Sequence, residues 1–203
     1  RRVHPLRKAW LWGTGMPHYL LSKPNLLNQA AFRDRWVRLM AWLMTGWPAE
    51  DVQAMAGRIV EEKLGPALRP DVVRVLDAHR AAKRPVILVS TMFDAITSGL
   101  AQRLGADVGL GSVVALEDGV CTGQIAGETC AGPRKLNFAW RYLAREHPGV
   151  GLDVCAAYAD SASDIAFLVG VGYPVAVYPD DAMRSAAEAR GWPIFEANSA
   201  STG

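Results

Sequence analysis

Three short stretches of this chain place hydroxyls, carboxylates and an ammonium where they could do chemistry together. The first is Ser90-Thr91, directly after the apolar run Pro85-Val86-Ile87-Leu88-Val89 and just before a helix predicted over 97–104. A hydroxyl with free backbone N–H groups at a helix start suits a phosphate or another anion. It equally suits a plain helix cap. The second is Asp160-Ser161-Ala162-Ser163-Asp164, after the run Val154 to Tyr158. Two carboxylates four apart, at a strand end and a helix start, supply the hard oxygens that Mg2+ takes alongside water and phosphate. The same pair could also be a turn former and a partner for the helix dipole. The third is Gly132-Pro133-Arg134-Lys135. A cation in the first turn sits at the unfavourable end of the dipole. Lys135 therefore reads either as a point charge that neutralises phosphate or as a solvated surface lysine.

The elements around these stretches must position them. Beyond Pro70 the pattern alternates. Asp71 caps a helix through Ala82, and the run at 86–89 reads as a strand buried on both faces. Val113-Val114-Ala115-Leu116 and the segment Val120 to Ile125 form a hairpin across Asp118-Gly119. A helix follows over 133–146, then a second buried strand over 154–158 and a helix over 163–169. Val175-Ala176-Val177 is a third strand, 182–190 a helix, and Pro193-Ile194-Phe195 an edge strand. The tail 198–203 is small and polar and reads as frayed. Strands alternating with helices predict an α/β fold with a doubly wound parallel sheet, whose ligands bind beyond the carboxyl ends of the strands.

Residues 1–68 have another character and read as a small all-helical unit, with 69–203 as the α/β core. Five of the seven tryptophans (Trp10, Trp12, Trp36, Trp42 and Trp47) fall there. Asn25 or Asn28 caps a helix whose predicted inner face is Phe32, Trp36, Leu39 and Leu43, and Gly46 ends it. Pro48-Ala49-Glu50-Asp51 opens a second helix, with Val52, Met55, Ile59 and Val60 inward, that stops near Gly65-Pro66.

Bulk composition narrows the class. Of 203 residues, 50% are apolar and 21% charged, which excludes a disordered chain or a collagen-like repeat. A net charge of +2 gives no footprint for nucleic acid. Cys121, Cys130 and Cys155 are an odd set without CxxC spacing, which fits a reducing compartment and gives no zinc framework. No apolar run reaches the roughly 18 residues of a membrane span. Gly13, Gly15, Pro17 and His18 interrupt any signal-like segment, so a cytoplasmic location is expected. The chain opens Arg1-Arg2-Val3 rather than on Met, which we read as a numbering that begins partway into a longer protein or a start that was removed. Gly13-Thr14-Gly15 and Gly109-Leu110-Gly111 are Gly-x-Gly pieces, but neither follows a strand and opens a helix. A dinucleotide-binding domain is therefore disfavoured.

The order of the three stretches carries more than any one of them. A strand ending in Ser90, then Lys135 at a helix start, then a strand ending in Asp160-Ser161-Ala162-Ser163-Asp164 resembles the haloacid dehalogenase (HAD) superfamily of phosphatases. Ser90 resembles its second motif, Lys135 its third, and Asp160 with Asp164 its fourth. Ser90-Thr91-Met92-Phe93-Asp94 is similar to the Ser-Gly-Gly-Phe-Asp stretch of phosphoserine phosphatases, with Thr91-Met92 replacing the glycines. The Tyr158–Asp164 run is similar to the Tyr-Gly-Asp-Ser-x-Ser-Asp run of subfamily IB. The pieces Gly172 to Asp180 and Arg190-Gly191-Trp192-Pro193 fit that subfamily's C-terminal pattern. The resemblance covers about 68–196, and 1–68 matches the family's helical cap by position and type.

The resemblance implies a Mg2+-dependent phosphomonoester hydrolase. Ser90 would donate to a phosphoryl oxygen, aided by Thr91 and the N–H groups of the following helix. Lys135 would balance phosphate charge, Asp160 and Asp164 would serve the metal, and Asp164 would orient Lys135 or a metal-bound water. The family's first motif, Asp-x-Asp, carries the nucleophile that forms an aspartyl-phosphate, yet no Asp-x-Asp occurs in this chain and its first acidic residue is Asp34. The chain alone is thus expected to bind Mg2+ weakly and to turn over nothing. In this family the same motif sits on a central strand, without which the strands at 86–89 and 154–158 lose a neighbour. The subfamily's substrates include phosphoserine and lipid-linked phosphates. The aromatic, basic segment 1–47 could face a membrane surface or supply a core stripe. The alternative is a non-catalytic HAD-like binding module.

Overall fold

The protein is described by a computed structural model over residues 29–197. The expectations for Trp10, Trp12, Asn25, Asn28, Gly13-Thr14-Gly15 and the tail 198–203 lie outside the described residues.

Helix α1 spans Gln29–Leu43. Its buried side chains are Val37 and Ala41, continued by Met44, rather than Phe32, Trp36, Leu39 and Leu43, which are half-buried. The helix is apolar on two neighbouring faces, and periodicity alone does not rank them. Gly46, at φ +79°, makes the turn into α2, Ala49–Ile59. Pro48 precedes that helix, and Glu50 and Asp51 occupy its first turn as the sequence predicts. One π turn, Val60–Leu64, and one 3-10 turn, Gly65–Ala67, extend it. Helix α3 runs Pro70–Ala81. Asp71 does not cap it: Pro70 takes the first position after Arg69. The Asp71 carboxylate instead accepts a 2.5 Å hydrogen bond from the Tyr178 hydroxyl.

Strand β1, Ile87–Phe93, runs through Ser90 and Thr91 rather than ending before them. Helix α4, Asp94–Leu104, begins two residues later than a cap at Thr91 would require. The parallel partner is β2, Val108–Ser112. Val89 pairs with Leu110 and Phe93 with Ser112, so Ser90 to Met92 fall in a bulged stretch. Bulges of this kind re-aim side chains. Strands β3, Val114–Glu117, and β4, Val120–Ile125, form the expected hairpin. Asp118 and Gly119, at φ +49° and +76°, provide its two positive dihedrals.

Helix α5, Arg134–Glu146, leads to β5, Ala156–Ala159. Leu152–Val154 forms a 3-10 turn instead of the start of that strand. Helix α6, Ile165–Val169, follows a 3-10 turn at Ala162–Asp164. Then come β6, Tyr173–Val177; α7, Asp181–Arg190; and β7, Ile194–Phe195. Strands β5, β6 and β7 are parallel in that order.

The fold is α/β with parallel strands and flanking helices, as expected. Among the described residues the parallel strands form two pieces, β1–β2 and β5–β6–β7, and no strand joins β1 to β5. Neither strand is buried on both faces: β1 is half-buried throughout, and β5 exposes Ala156 and Tyr158. A strand paired on one side only keeps part of its surface open. Phe93 packs against three apolar clusters, centred on Val37–Ala41–Ile125, Met44–Val52–Cys121 and Ala56–Val60–Ile96. Helices α1 and α2 are thereby tied to the strand that carries Ser90. Leu168, Met183 and Ala187 seal the other piece against β5 and β6.

Helix α4 lies so close to β2 that a Cβ at Gly109 would stand 2.3 Å from the Thr97 carbonyl oxygen. Gly109→Ala should lower stability by about 1–3 kcal/mol through forced separation of the two elements. Gly57→Ala, on an open helix surface, should raise it by up to about 1 kcal/mol. Urea unfolding midpoints check both.

Candidate active site

Helix α5 buries one stripe, Lys135, Ala139 and Leu143, at i, i+4 and i+8. A lysine on that stripe must find an anion, because an unpaired buried ammonium is costly. It finds Asp164. Lys135 Nζ stands 2.7 Å from Asp164 Oδ1, with side-chain exposures of 8% and 13%. Asp164 occupies the cap position of α6, yet its side chain makes no capping hydrogen bond. Its oxygen is directed to Lys135 instead.

Ser90 approaches the same place from β1. Its Oγ accepts a 3.2 Å hydrogen bond from the Met92 N–H, which leaves the hydroxyl proton free to donate. The Cys130 thiol donates to the Leu110 carbonyl at 3.8 Å. Burial pushes that thiol up to about 12, against the opposing pull of the Lys135 charge and the Ser90 amide. Cys130 is thus a packed, protonated neighbour of Ser90, Lys135 and Asp164, unsuited to nucleophilic work. The Thr91 hydroxyl oxygen is buried and has no hydrogen-bond partner among the described residues. A buried hydroxyl in that state is open to an oxyanion.

Asp160 follows β5 and is exposed. Its carbonyl accepts from the Asp180 N–H at 2.8 Å. The Asp180 carboxylate accepts from Ala162 N at 3.0 Å and from Met183 N at 2.8 Å, so one side chain fixes both this loop and the start of α7. Ser161 and Ser163 share a hydrogen bond of 2.9 Å between their hydroxyls. Asp160 supplies a hard oxygen of the sort Mg2+ takes, whereas Asp164 Oδ1 is committed to Lys135. Among the described residues no group of three His, Cys, Asp or Glu side chains could hold a metal. A full coordination shell would therefore need a further protein oxygen, or waters and substrate.

The sequence reading missed a second polar group. Asp34 of α1 reaches the loop before α5, where its Oδ1 accepts from Arg134 Nη2 at 2.5 Å and from the Thr129 hydroxyl. Arg38 Nε donates to Oδ2 at 3.0 Å. Burial pushes the Asp34 carboxyl up, but the Thr129 and Arg38 hydrogen bonds and the Arg38 and Arg134 charges outweigh it. The group is held below its ordinary 3.8. Arg134 adjoins Lys135 in the sequence, but its partner lies 100 residues away, so no local spacing could disclose the pairing.

Asp160 and Asp164 follow the carboxyl end of β5, and Ser90 and Thr91 lie in the bulged stretch of β1; α/β folds bind ligands beyond the carboxyl ends of their strands. A profile for haloacid dehalogenase-like hydrolases matches residues 6–168. The chain belongs to that family. It is 35% identical over 174 residues to an inhibition of morphological differentiation protein of Streptomyces azureus, covering 84% of this chain and 62% of that one. It is 31% identical over 175 residues to a phosphoserine phosphatase of Mycobacterium tuberculosis (strain ATCC 25618 / H37Rv), covering 86% and 55%. The chain therefore spans less than two thirds of these relatives. Among solved structures, a Bordetella pertussis Tohama I protein of unknown function aligns with a TM-score of 0.75 at 23% identity, covering 89% of this chain and 78% of that one. A substrate-bound phosphoserine phosphatase aligns at 0.55 and 21%, covering 80% and 71%. Both share the fold. No helix among the described residues is long and apolar enough to cross a membrane.

Lys135→Ala should cost about 3–5 kcal/mol, because Asp164 is left as a buried, unpaired charge. The Lys135→Ala/Asp164→Ala double variant should recover part of that loss in a double-mutant cycle. The Asp34 interactions stabilise the fold above the unfolded-state value near 3.8 and are lost as pH falls through the lowered folded-state value. Asp34→Ala should therefore destabilise more at about pH 7 than at about pH 3 when unfolding is followed by circular dichroism.

Proposed function

We propose that this chain is the greater part of a Mg2+-dependent phosphomonoester hydrolase acting on a small phosphorylated substrate of the phosphoserine type. The observation that carries the reading is the buried pair of Asp164, which follows β5, with Lys135, on a helix packed against β1, the strand of Ser90. Ser90 Oγ–H and the Thr91 hydroxyl would donate to phosphoryl oxygens. Lys135, oriented by Asp164, would balance the charge of phosphate and nucleophile, since phosphoryl transfer depends on positioning and charge neutralisation. Asp160 would be a metal ligand, and the bound ion would add further neutralisation of the phosphoryl oxygens. The Asp164 oxygen directed at Lys135 favours the orienting role over direct ligation.

The nucleophile is assigned by resemblance to an Asp-x-Asp motif that is not in this sequence. The unjoined edges of β1 and β5 support a strand carrying it between them. Its first carboxylate would attack phosphorus, forming a P–O bond as the ester P–O bond breaks. Its second would give a proton to the leaving alcohol. Water would then cleave the aspartyl-phosphate, releasing inorganic phosphate and restoring the carboxylate.

The lack of Asp-x-Asp in the chain favours a second reading, a non-catalytic binding module. The encoding DNA separates the two. An in-frame Asp-x-Asp-x-Thr upstream supports the enzyme, whereas a stop codon or unrelated sequence supports the module.

The functional test is phosphate release by the full-length gene product with Mg2+ from phosphoserine, glycerol phosphate and a phospholipid monoester. The expected result is Mg2+-dependent turnover of a small ester, lowered at least about a hundredfold by Asp160→Asn. The 203-residue chain alone should be inactive. Turnover by that chain, or none by the full-length product on any ester, contradicts the reading.

A further inference from the structure

We propose that Asp34 is a positioning residue for Lys135, acting through Arg134 and Thr129, and that the Asp34–Arg134 contact sets the rate of the chemical step without binding substrate. This rests on the phosphatase reading above. The loop from Thr129 to Pro133 presents Lys135. Thr129 and Cys130 are fully buried, Ala131 nearly so, and Lys135 itself is 6% exposed. A loop with so little freedom transmits displacement at one end to the other.

Two polar anchors hold this loop, and they belong to different parts of the fold. The inner anchor is Ser112 at the end of β2, fully buried. Its hydroxyl accepts from the Cys130 N–H at 3.0 Å and donates to the Thr91 carbonyl at 3.2 Å. The loop is thereby set against the strand that carries Ser90. The outer anchor is Arg134. Its Nε donates to the Thr129 carbonyl at 2.9 Å, and its Nη2 donates to the Thr129 hydroxyl and to Asp34 Oδ1. The Thr129 hydroxyl donates to the same carboxylate oxygen.

Asp34 thus closes a ring of three side chains around the residue immediately before Lys135. Without its carboxylate, the Arg134 guanidinium keeps only its bonds to Thr129, and the Thr129 hydroxyl loses its acceptor. Lys135 Nζ would keep Asp164 as a partner, but the backbone that presents it would be free to shift relative to Ser90. A displacement of about 1 Å at a positioned group can cost about a hundredfold in rate. Arg38 provides the internal control. It touches the other oxygen of the same carboxylate and has no described contact with the loop.

The test uses the full-length gene product and its best phosphate ester, with kcat, KM and the unfolding midpoint measured together. Asp34→Ala and Arg134→Ala should each lower kcat by about ten- to a hundredfold with KM within about threefold. The double variant should be no slower than the worse single variant. Arg134→Lys should restore part of the rate, and Arg38→Ala should leave kcat unchanged. Three outcomes overturn the proposal: an Asp34→Ala enzyme with unchanged kcat, a loss accounted for by the unfolded fraction, or equal losses in Asp34→Ala and Arg38→Ala. A wild-type protein with no turnover overturns the phosphatase reading and this inference together, whereas normal wild-type activity with any of those three overturns this inference only.

Discussion

Burying a lysine ammonium on the inner stripe of a helix is permitted only if a carboxylate meets it, and that requirement organises this protein. Lys135 lies in the first turn of α5, where the helix dipole disfavours a cation. The Asp164 carboxylate at 2.7 Å offsets this. To make the contact, the start of α5 must stand beside the loop that follows β5. Helix α5 also packs against β1. The pair therefore links the two pieces of parallel sheet that no strand joins among the described residues. Helix α3 is held to the β5–β6–β7 piece through His79–Tyr158 at 2.8 Å and Asp71–Tyr178 at 2.5 Å. Breaking a buried pair costs more than the pair itself contributes, because one charge is stranded.

The same geometry explains why polar side chains accumulate at one end of the fold. Ser90 sits in a bulged stretch of β1, and Phe93, three residues on, is held by three apolar clusters. The strand is thus fixed by packing just beyond the Ser90 hydroxyl. Asp160 is fixed differently, by backbone and carboxylate bonds to Asp180. Packing anchors one wall of the site, hydrogen bonds the other, and the lysine–carboxylate pair spans them.

Local chemistry was legible where a single segment determined it. The Asp118-Gly119 hairpin, the Pro48 opening of α2 and the order of strands and helices all followed from residue type and spacing. The nearness of Lys135 and Asp164 was legible only through the family resemblance, since no spacing relates the two segments. Failures arose where two local solutions compete and tertiary packing decides. Helix α1 offers two apolar faces, and contact with Ile125 and Phe93 selects Val37 and Ala41. Strand β1 continues past Val89 because Phe93 pairs with Ser112. Asp71 turns from a cap into an acceptor for Tyr178, 107 residues away. Asp34, Thr129 and Arg134 were invisible for the same reason, since nothing in three distant segments marks them as partners.

The central claim is that Ser90 and Lys135 form the walls of a phosphoryl site. A crystal structure of the full-length gene product grown with tungstate, a heavy phosphate mimic, tests it most directly. The account predicts an anomalous peak within hydrogen-bond distance of Ser90 Oγ and Lys135 Nζ, lost in the Ser90→Ala protein. Tungstate found only at surface arginines, with the Ser90–Lys135 neighbourhood empty, would contradict it.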